Sequence, residues 1–380
     1  MKIAILTFPI HSNFGYLMQA YSLQQCLREM GHEPYTINLP KSEYSIINKI
    51  KQTVKDVICA LRGREGYKAF RYWPTEEQQS FMDKKTWDFV KGHISLTQRI
   101  NSIKELYKTD FSEYDAFIVG SDQVWRYAYL SPITAFFFDF LPSDKPRMSY
   151  AASFGISDLG YSISDKIRCK ELLNNFNVVT VREYDGIKIC EREFGIKAKK
   201  VVDPVFLQNK AHYLKMASFG THPNQGKKYI FTYILDWNKE KRDYIGRLSN
   251  ERQLTVVNML PEKFHLVGPK MLEYLVYPSV LELLRGFADA ECIITDSFHG
   301  TAFSILLNKT FGVFANQNRG NSRLISVLKT FGLEDHIVKA VDYNIPEADY
   351  NTVNRKIKEL SDESKSVLEG FLQKSIRRGI

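Results

Sequence analysis

The 380-residue chain lacks most features that mark the specialised protein classes. Its five cysteines, at 26, 59, 169, 190 and 292, show neither metal-ligand spacing nor a disulfide-rich pattern. Cys292 is expected inside and Cys59 partly exposed. The eight histidines have no ligand-like neighbours, so no metal is expected. No apolar run approaches the ~20 residues needed to cross a bilayer. There is no G-x-G-x-x-G fingerprint, no internal repeat and no low-complexity tract. The opening Met1–Leu6 run is followed at once by Pro9, His11 and Asn13, which reads as a strand and its turn, not a secretory leader. A cytoplasmic protein is the expectation.

What is present is globular: 44% hydrophobic and 25% charged residues, with 25 Phe and 21 Tyr. The length is large for one core, so two domains are expected. The net charge of +9 raises the local concentration of anions without selecting among them. It does not indicate nucleic acid, because the basic residues form a helix face without paired reading elements or aromatic platforms.

Short apolar runs alternate with helical periodicity along the chain, predicting mainly parallel α/β structure. Residues 1–207 read as an N-terminal Rossmann-like domain and 227–353 as a second one. A polar stretch containing Gly220, Pro223 and Gly226 joins them, and 354–380 reads as a helical tail crossing back over the first domain. Within this pattern, 75–106 reads as a pair of polar helices and Ala135–Asp139 as a strand.

Polar clusters follow several of the buried runs. Cys292-Ile293-Ile294 leads into Thr295-Asp296-Ser297-Phe298-His299-Gly300, after which helical spacing resumes. Ser297 or Asp296 could cap that helix, and a histidine there lies near a helix N-terminus that favours anions. Tyr114–Val119 leads into Gly120-Ser121-Asp122-Gln123-Val124-Trp125. The first run leads through Asn13 and Gly15 to a helix bearing Gln19. Such strand exits are where open α/β sheets bind ligands. Arg319 and Arg323 follow a further strand, where a carboxylate or phosphate would be well met. Segment 41–72 differs: Ile46, Ile47, Ile50, Val54, Val57, Ile58 and Leu61 form an apolar face beside Lys49, Lys51, Lys55, Arg62, Arg64, Lys68 and Arg71. Two accounts fit it, a surface helix covering a sheet or a face resting on an anionic membrane.

Four motifs in order, Asn13-Phe14-Gly15 with Gln19-Ala20 and Leu23, Gly120–Trp125, Val202-Asp203-Pro204 and Asp296–Thr301, resemble the polysaccharide pyruvyl transferase family over roughly residues 1–335. The resemblance implies two Rossmann-like domains facing across a cleft, a GT-B-like fold with the active site between them. It implies phosphoenolpyruvate as donor and no further cofactor. The implied acceptor is a sugar of a surface-polysaccharide precursor on a nucleotide or lipid carrier, and the product a pyruvate ketal. His299 matches the family's active-site histidine and would protonate the enol methylene. Ser297 stands where some relatives have arginine, so the donor anion falls to Arg323, Arg319 or Arg182, with Ser297 and Gly300 beside it. Asp122, Asp296 or Asp203 could accept a hydroxyl proton, although Asp296 could instead orient His299 and Asp203 could be a turn residue. Asn13, Gly15, Tyr16, Gln19, Asp122, Gln123 and Trp125 would line the acceptor side. Peripheral membrane contact through 44–71 would place the protein at the inner face of the membrane. Two other readings suit the same residues: a GT-B-type glycosyltransferase using a nucleotide sugar, and a non-catalytic partner in polysaccharide assembly.

Overall fold

The apolar runs build two parallel sheets. A computed structural model describes the chain except residues 40–45, 64–66, 68–70, 157, 222–225, 316–320 and 379–380, and without the side chains of 46–49, 51, 321 and 377–378. The first sheet holds β1 (Lys2–Leu6), β2 (Glu33–Asn38), β3 (Leu96–Arg99), β4 (Ala116–Val119) and β5 (Arg147–Ser149) in the order β3-β2-β1-β4-β5. Every pairing is parallel, with Ile5 of β1 opposite Thr36 of β2 and Ile118 of β4. A short parallel pair follows, β6 (Thr180–Val181) and β7 (Lys199–Lys200), tied to β5 through the Met148–Val178 bridge. The second sheet holds β8 (Tyr229–Tyr233), β9 (Thr255–Asn258), β10 (Cys292–Thr295) and β11 (Thr310–Val313), ordered β11-β10-β8-β9 and also parallel. The protein is therefore two Rossmann-like α/β domains facing across a cleft, GT-B-like in arrangement. β1, β4, β8 and β10 are buried on both faces, as helix-covered parallel strands must be, and this is why they read as unbroken apolar runs.

The strand order reverses between β1 and β4 in the first sheet and between β8 and β10 in the second, which opens a crevice at the carboxyl ends of each. The two crevices face each other because the helices between the sheets share one core. Phe14, at the start of α1 (Phe14–Glu29), stacks on Phe287 and packs on Phe303 and Tyr233 of the second domain. The long C-terminal helix Tyr350–Arg378 adds Leu368, Phe371 and Leu372 to the same core, and the Val202 N–H donates to its Ser364 hydroxyl at 3.1 Å. An interface this apolar holds the domains in a fixed relation rather than letting them hinge freely.

Four sequence expectations need correction. The 75–106 stretch holds the helix α3 (Glu76–His93) and a four-residue helix, Ile103–Leu106, with the edge strand β3 between them, whose first two positions are only half-buried and give no apolar run to read. Ala135–Phe137 end a 3₁₀ turn, Ile133–Phe137, and Phe138 leaves it in a left-handed conformation, so that Phe137 stacks on Trp125 while Phe138 packs on Phe117 and Phe140. Cys59 is buried, as are the other four cysteines. The helix α2 (Ile46–Leu61) does not cover a sheet with its apolar face: Ile50, Val54, Ile58 and Leu61 are exposed while Asp56 is buried. Arg64, Lys68 and Pro223 lie outside the described residues.

Candidate active site

Strand β4 ends at Val119, and the chain turns sharply through Gly120, whose φ of +133° only glycine adopts easily. A Cβ there would meet the Tyr150 carbonyl oxygen at 2.0 Å. The turn delivers Asp122 in a left-handed conformation (φ +71°), an uncommon backbone for a non-glycine residue. Its carboxylate is 1% exposed and accepts from Arg182 Nη2 at 3.3 Å, Arg323 Nη1 at 3.2 Å and the Gln123 N–H at 2.9 Å. Burial works to raise the Asp122 pKa, but the two guanidinium groups outweigh it and hold the carboxyl below its ordinary value. Arg182 comes from the exit of β6 and Arg323 from the helix Asn321–Phe331 of the second domain, so this one carboxylate ties the domains together.

The exit of β7 supplies the other half of the cluster. Asp203 caps the Pro204–Leu207 turn through Oδ1, which accepts the Val205 N–H at 3.1 Å. Its Oδ2 accepts from Arg182 Nη1 at 2.5 Å and from the Ser121 hydroxyl at 3.1 Å. Glu183 stands behind, 3.7 Å from Arg182 Nε, with Oε1 accepting the Ser153 hydroxyl at 2.6 Å. Burial pushes the Glu183 carboxyl up. Burial alone would lower the Arg182 pKa, yet Asp203, Asp122 and Glu183 raise it on balance and keep the guanidinium charged. Its plane also lies 4.2 Å over the Phe298 ring. A small opening on this side is lined by Arg182, Glu183, Lys200, Asp203, Phe298 and Arg323.

His299 reaches the cluster from the second domain, in the first turn of the helix Phe298–Leu306 after β10. Ser297 precedes that helix without capping it through its side chain, which leaves the first-turn N–H groups without a side-chain acceptor from that position. Gly300 permits this close approach, since a Cβ would strike Thr295 Oγ1 at 2.1 Å. The imidazole lies against Gly15 of α1, where a Cβ would stand 2.1 Å from Nδ1. Two helix N-termini thus converge on one histidine, capped on the α1 side by Asn13, which accepts the Tyr16 N–H at 3.2 Å. His299 Nε2 has no hydrogen-bond partner and faces Asp203 Oδ2 at 3.9 Å. Burial lowers its pKa, and the attraction of Asp203 and Asp122 does not offset it. At neutral pH it is an uncharged imidazole whose Nε2 has no hydrogen-bond partner.

The structure therefore brings His299, Asp122, Arg182, Arg323, Asn13, Gly15, Ser297 and Gly300 to one place with Asp203, one of the three candidate proton acceptors, and adds Glu183. Asp203 follows an apolar run just as Asp122 does, and that shared position was the available signal; its neighbour proline also suggested a plain turn. Glu183 gave no signal beyond adjacency to Arg182. Tyr16 stacks on Phe8 at 5.1 Å at the rim, and Gln123 is held by Arg126 at 2.6 Å. Three expected roles give way. Asp296 accepts from the Leu235 and Asp236 N–H groups at 2.7 and 3.1 Å and from Lys241 Nζ at 2.6 Å, so it secures the β8 and β10 exits rather than performing chemistry or orienting His299. Gln19 donates to Thr7 and the Tyr16 carbonyl and accepts the Ser121 N–H at 3.0 Å, so it positions the Asp122 loop instead of an acceptor. Trp125 is fully buried, its indole N–H donating to the Phe136 carbonyl at 3.0 Å, and cannot wall a pocket. Arg319 lies outside the described residues.

With this geometry in view, a family model described as polysaccharide pyruvyl transferase matches residues 13–318. No curated protein matches the sequence. Among solved structures, UDP-GlcNAc 2-epimerase from Neisseria meningitidis bound to UDP-GlcNAc is similar at 11% identity and a TM-score of 0.49, covering 98% of this chain and 100% of that one. The Rickettsia bellii UDP-N-acetylglucosamine 2-epimerase is similar at 13% identity, TM-score 0.49 and 99% and 97% coverage. Phytolacca americana UGT2, complexed with UDP-2fluoro-glucose and pterostilbene, is similar at 11% identity, TM-score 0.41 and 99% and 100% coverage.

The electrostatics of the site correct the expected chemistry. Phosphoenolpyruvate carries a carboxylate and a phosphate, yet Arg182 and Arg323 are already engaged by Asp122, Asp203 and Glu183. A histidine held neutral is also ill-suited to protonate an enol. The ketal-forming pyruvyl transfer from phosphoenolpyruvate is accordingly withdrawn. Among the described residues no helix is long and apolar enough to cross a membrane.

Proposed function

Since the chain belongs to the polysaccharide pyruvyl transferase family, we propose that its cleft binds a nucleotide sugar and transfers the sugar to a hydroxyl of a polysaccharide precursor, on a lipid or nucleotide carrier. The observation that carries the reading is the open, neutral His299 Nε2 facing the Asp203–Arg182 pair. In this arrangement His299 accepts the proton of the attacking hydroxyl while the new C–O bond forms at the anomeric carbon. The bond to the diphosphate breaks and its electron pair stays with the departing oxygen. Asp203 stabilises the imidazolium that results, and Arg182 and Ser121 keep Asp203 in position. The uncapped first turn of the Phe298–Leu306 helix meets the diphosphate, with Ser297 and Gly300 beside it. A cluster whose charges are already paired presents oriented donors and acceptors rather than bare charge, which suits a sugar's hydroxyls. Asn13, Gly15, Tyr16, Asp122 and Gln123 line the first-domain wall, and Arg323 couples that wall to the second domain.

Binding only to the folded state must raise the unfolding midpoint. UDP, GDP and CMP sugars are therefore tested by thermal protection, and products by mass. The expected result is protection by one nucleotide sugar, and its consumption with an acceptor. The reading falls if no nucleotide sugar protects, or if phosphoenolpyruvate alone does.

A further inference from the structure

Along α2, Ile50, Val54, Ile58 and Leu61 are 58%, 52%, 44% and 83% exposed. Their spacing of four, four and three residues puts them on one face of the helix. On the other side, Asp56 is buried, paired with Arg71 and accepting from Gln52 Nε2 at 3.0 Å, and Cys59 is buried beside it. The helix therefore sits with polar residues turned inward and an apolar stripe turned outward, the reverse of an ordinary surface helix. Charge says what covers the stripe. Asp56 is the single acidic residue between 46 and 63, and its inward position leaves the outer face of this segment without a carboxylate of its own. Lys55 on the helix and Arg62 just after it are exposed, and the sequence adds Lys49 and Lys51. A second copy of this face would oppose like charges, which costs affinity. An apolar stripe flanked only by cations matches a helix lying in the headgroup region of an anionic bilayer. In the sequence the chain reaches α2 after β2, whose carboxyl end lies at the edge that carries the cleft. It returns past Tyr72, whose N–H donates to the His265 carbonyl of the second domain at 3.4 Å.

We propose that α2 is a peripheral membrane anchor that lays Ile50, Val54, Ile58 and Leu61 into an anionic lipid surface. This does not rest on the sugar-nucleotide reading, and its test needs no turnover. The full chain is floated at low salt with vesicles of phosphatidylcholine alone or mixed with phosphatidylglycerol. Binding is expected to the mixed vesicles only, and to weaken as salt rises. The triple change Val54→Ser, Ile58→Ser, Leu61→Ser lowers it about tenfold or more, and Lys55→Gln or Arg62→Gln lowers it about fivefold per charge. All five side chains are exposed, so thermal midpoints and circular dichroism stay at wild type and exclude misfolding. The proposal is overturned if the protein does not float, or if both sets of variants float as well as wild type. It is equally overturned if sedimentation velocity shows a dimer that the serine variant abolishes while vesicles bind nothing.

Discussion

Asp122 and Asp296 hold equivalent places in the two domains. Each lies just past a buried parallel strand, each is nearly inaccessible, and each pairs with a buried cation. Their partners separate them. Asp296 takes two backbone N–H groups and Lys241, all from its own domain, and so fixes the shape of one sheet edge. Asp122 takes Arg182 from its own domain and Arg323 from the other, and its neighbour Ser121 reaches Asp203, which faces His299. Position at a strand exit makes a carboxylate available. What its charge is tied to decides whether it supports the scaffold or the site.

The sharpest way to break the comparison is to remove each group. Asp296→Ala leaves Lys241 with the Asp236 carbonyl but no carboxylate, and two N–H groups without their acceptor, and breaking a buried pair in this way costs about 3–5 kcal/mol. The expected outcome in urea denaturation is a larger loss of stability than replacing His299 or Arg323 causes. Unchanged stability would mean that Asp296 is not the structural member of the pair. His299→Gln takes away the open acceptor nitrogen instead. Turnover of the nucleotide sugar should fall by about 10²–10⁴-fold, with a smaller change in unfolding free energy than Asp296→Ala. Burial holds the wild-type imidazole below its usual 6.5. A base with a depressed pKa works above that value and fails as pH falls through it, so the acid limb of kcat/KM should lie below pH 6.5. Activity lost as pH rises through that region would mean that His299 acts as an acid. Arg323→Ala comes next. Asp122 keeps Arg182 and the Gln123 N–H, so the stability loss should be about 1–3 kcal/mol, while nucleotide-sugar protection weakens because the domains lose their shared ion pair. Protection at the wild-type level would remove Arg323 from the site.

Much of this architecture is legible in the sequence. The alternation of apolar runs and helical spacing is a local property, and so is a glycine or histidine placed at a strand exit; the two parallel sheets, Gly15, Asp122 and His299 all follow from it. The division of labour between Asp122 and Asp296 is not local. Lys241 is 55 residues from Asp296, Arg323 is 201 from Asp122, and Ser121 is 82 from Asp203. No spacing rule links groups so far apart. Gln19 and Trp125 misled for a related reason: a polar or aromatic residue beside a site looks the same whether it faces the ligand or holds the wall. The orientation of α2 was hidden differently. Its periodicity showed an apolar face but not which way that face points, and the inward turn of Asp56 depends on Arg71 from the following segment.

Glu183 refines the comparison at its smallest scale, because it is a carboxyl at the same cluster that burial disfavours. Its folded-state pKa is raised above 4.5, chiefly by burial, with Arg182 and the Ser153 hydroxyl pulling the other way. Below pH 4.5 folded and unfolded chains both carry the proton, and Glu183 contributes its full share of stability. As pH rises past that value the unfolded state ionises first, and the contribution is lost until the folded carboxyl has titrated too. Glu183→Gln keeps a carbonyl acceptor for Ser153 and cannot ionise. Its thermal midpoint should match wild type below pH 4.5 and exceed it at neutral pH, the gap opening as pH rises. Asp122, held low by two guanidinium groups, predicts the opposite sign for Asp122→Asn: a midpoint that falls further behind wild type as pH rises. If both variants shifted in the same direction with pH, the contrast between a carboxyl strained by burial and one stabilised by its cations would not hold.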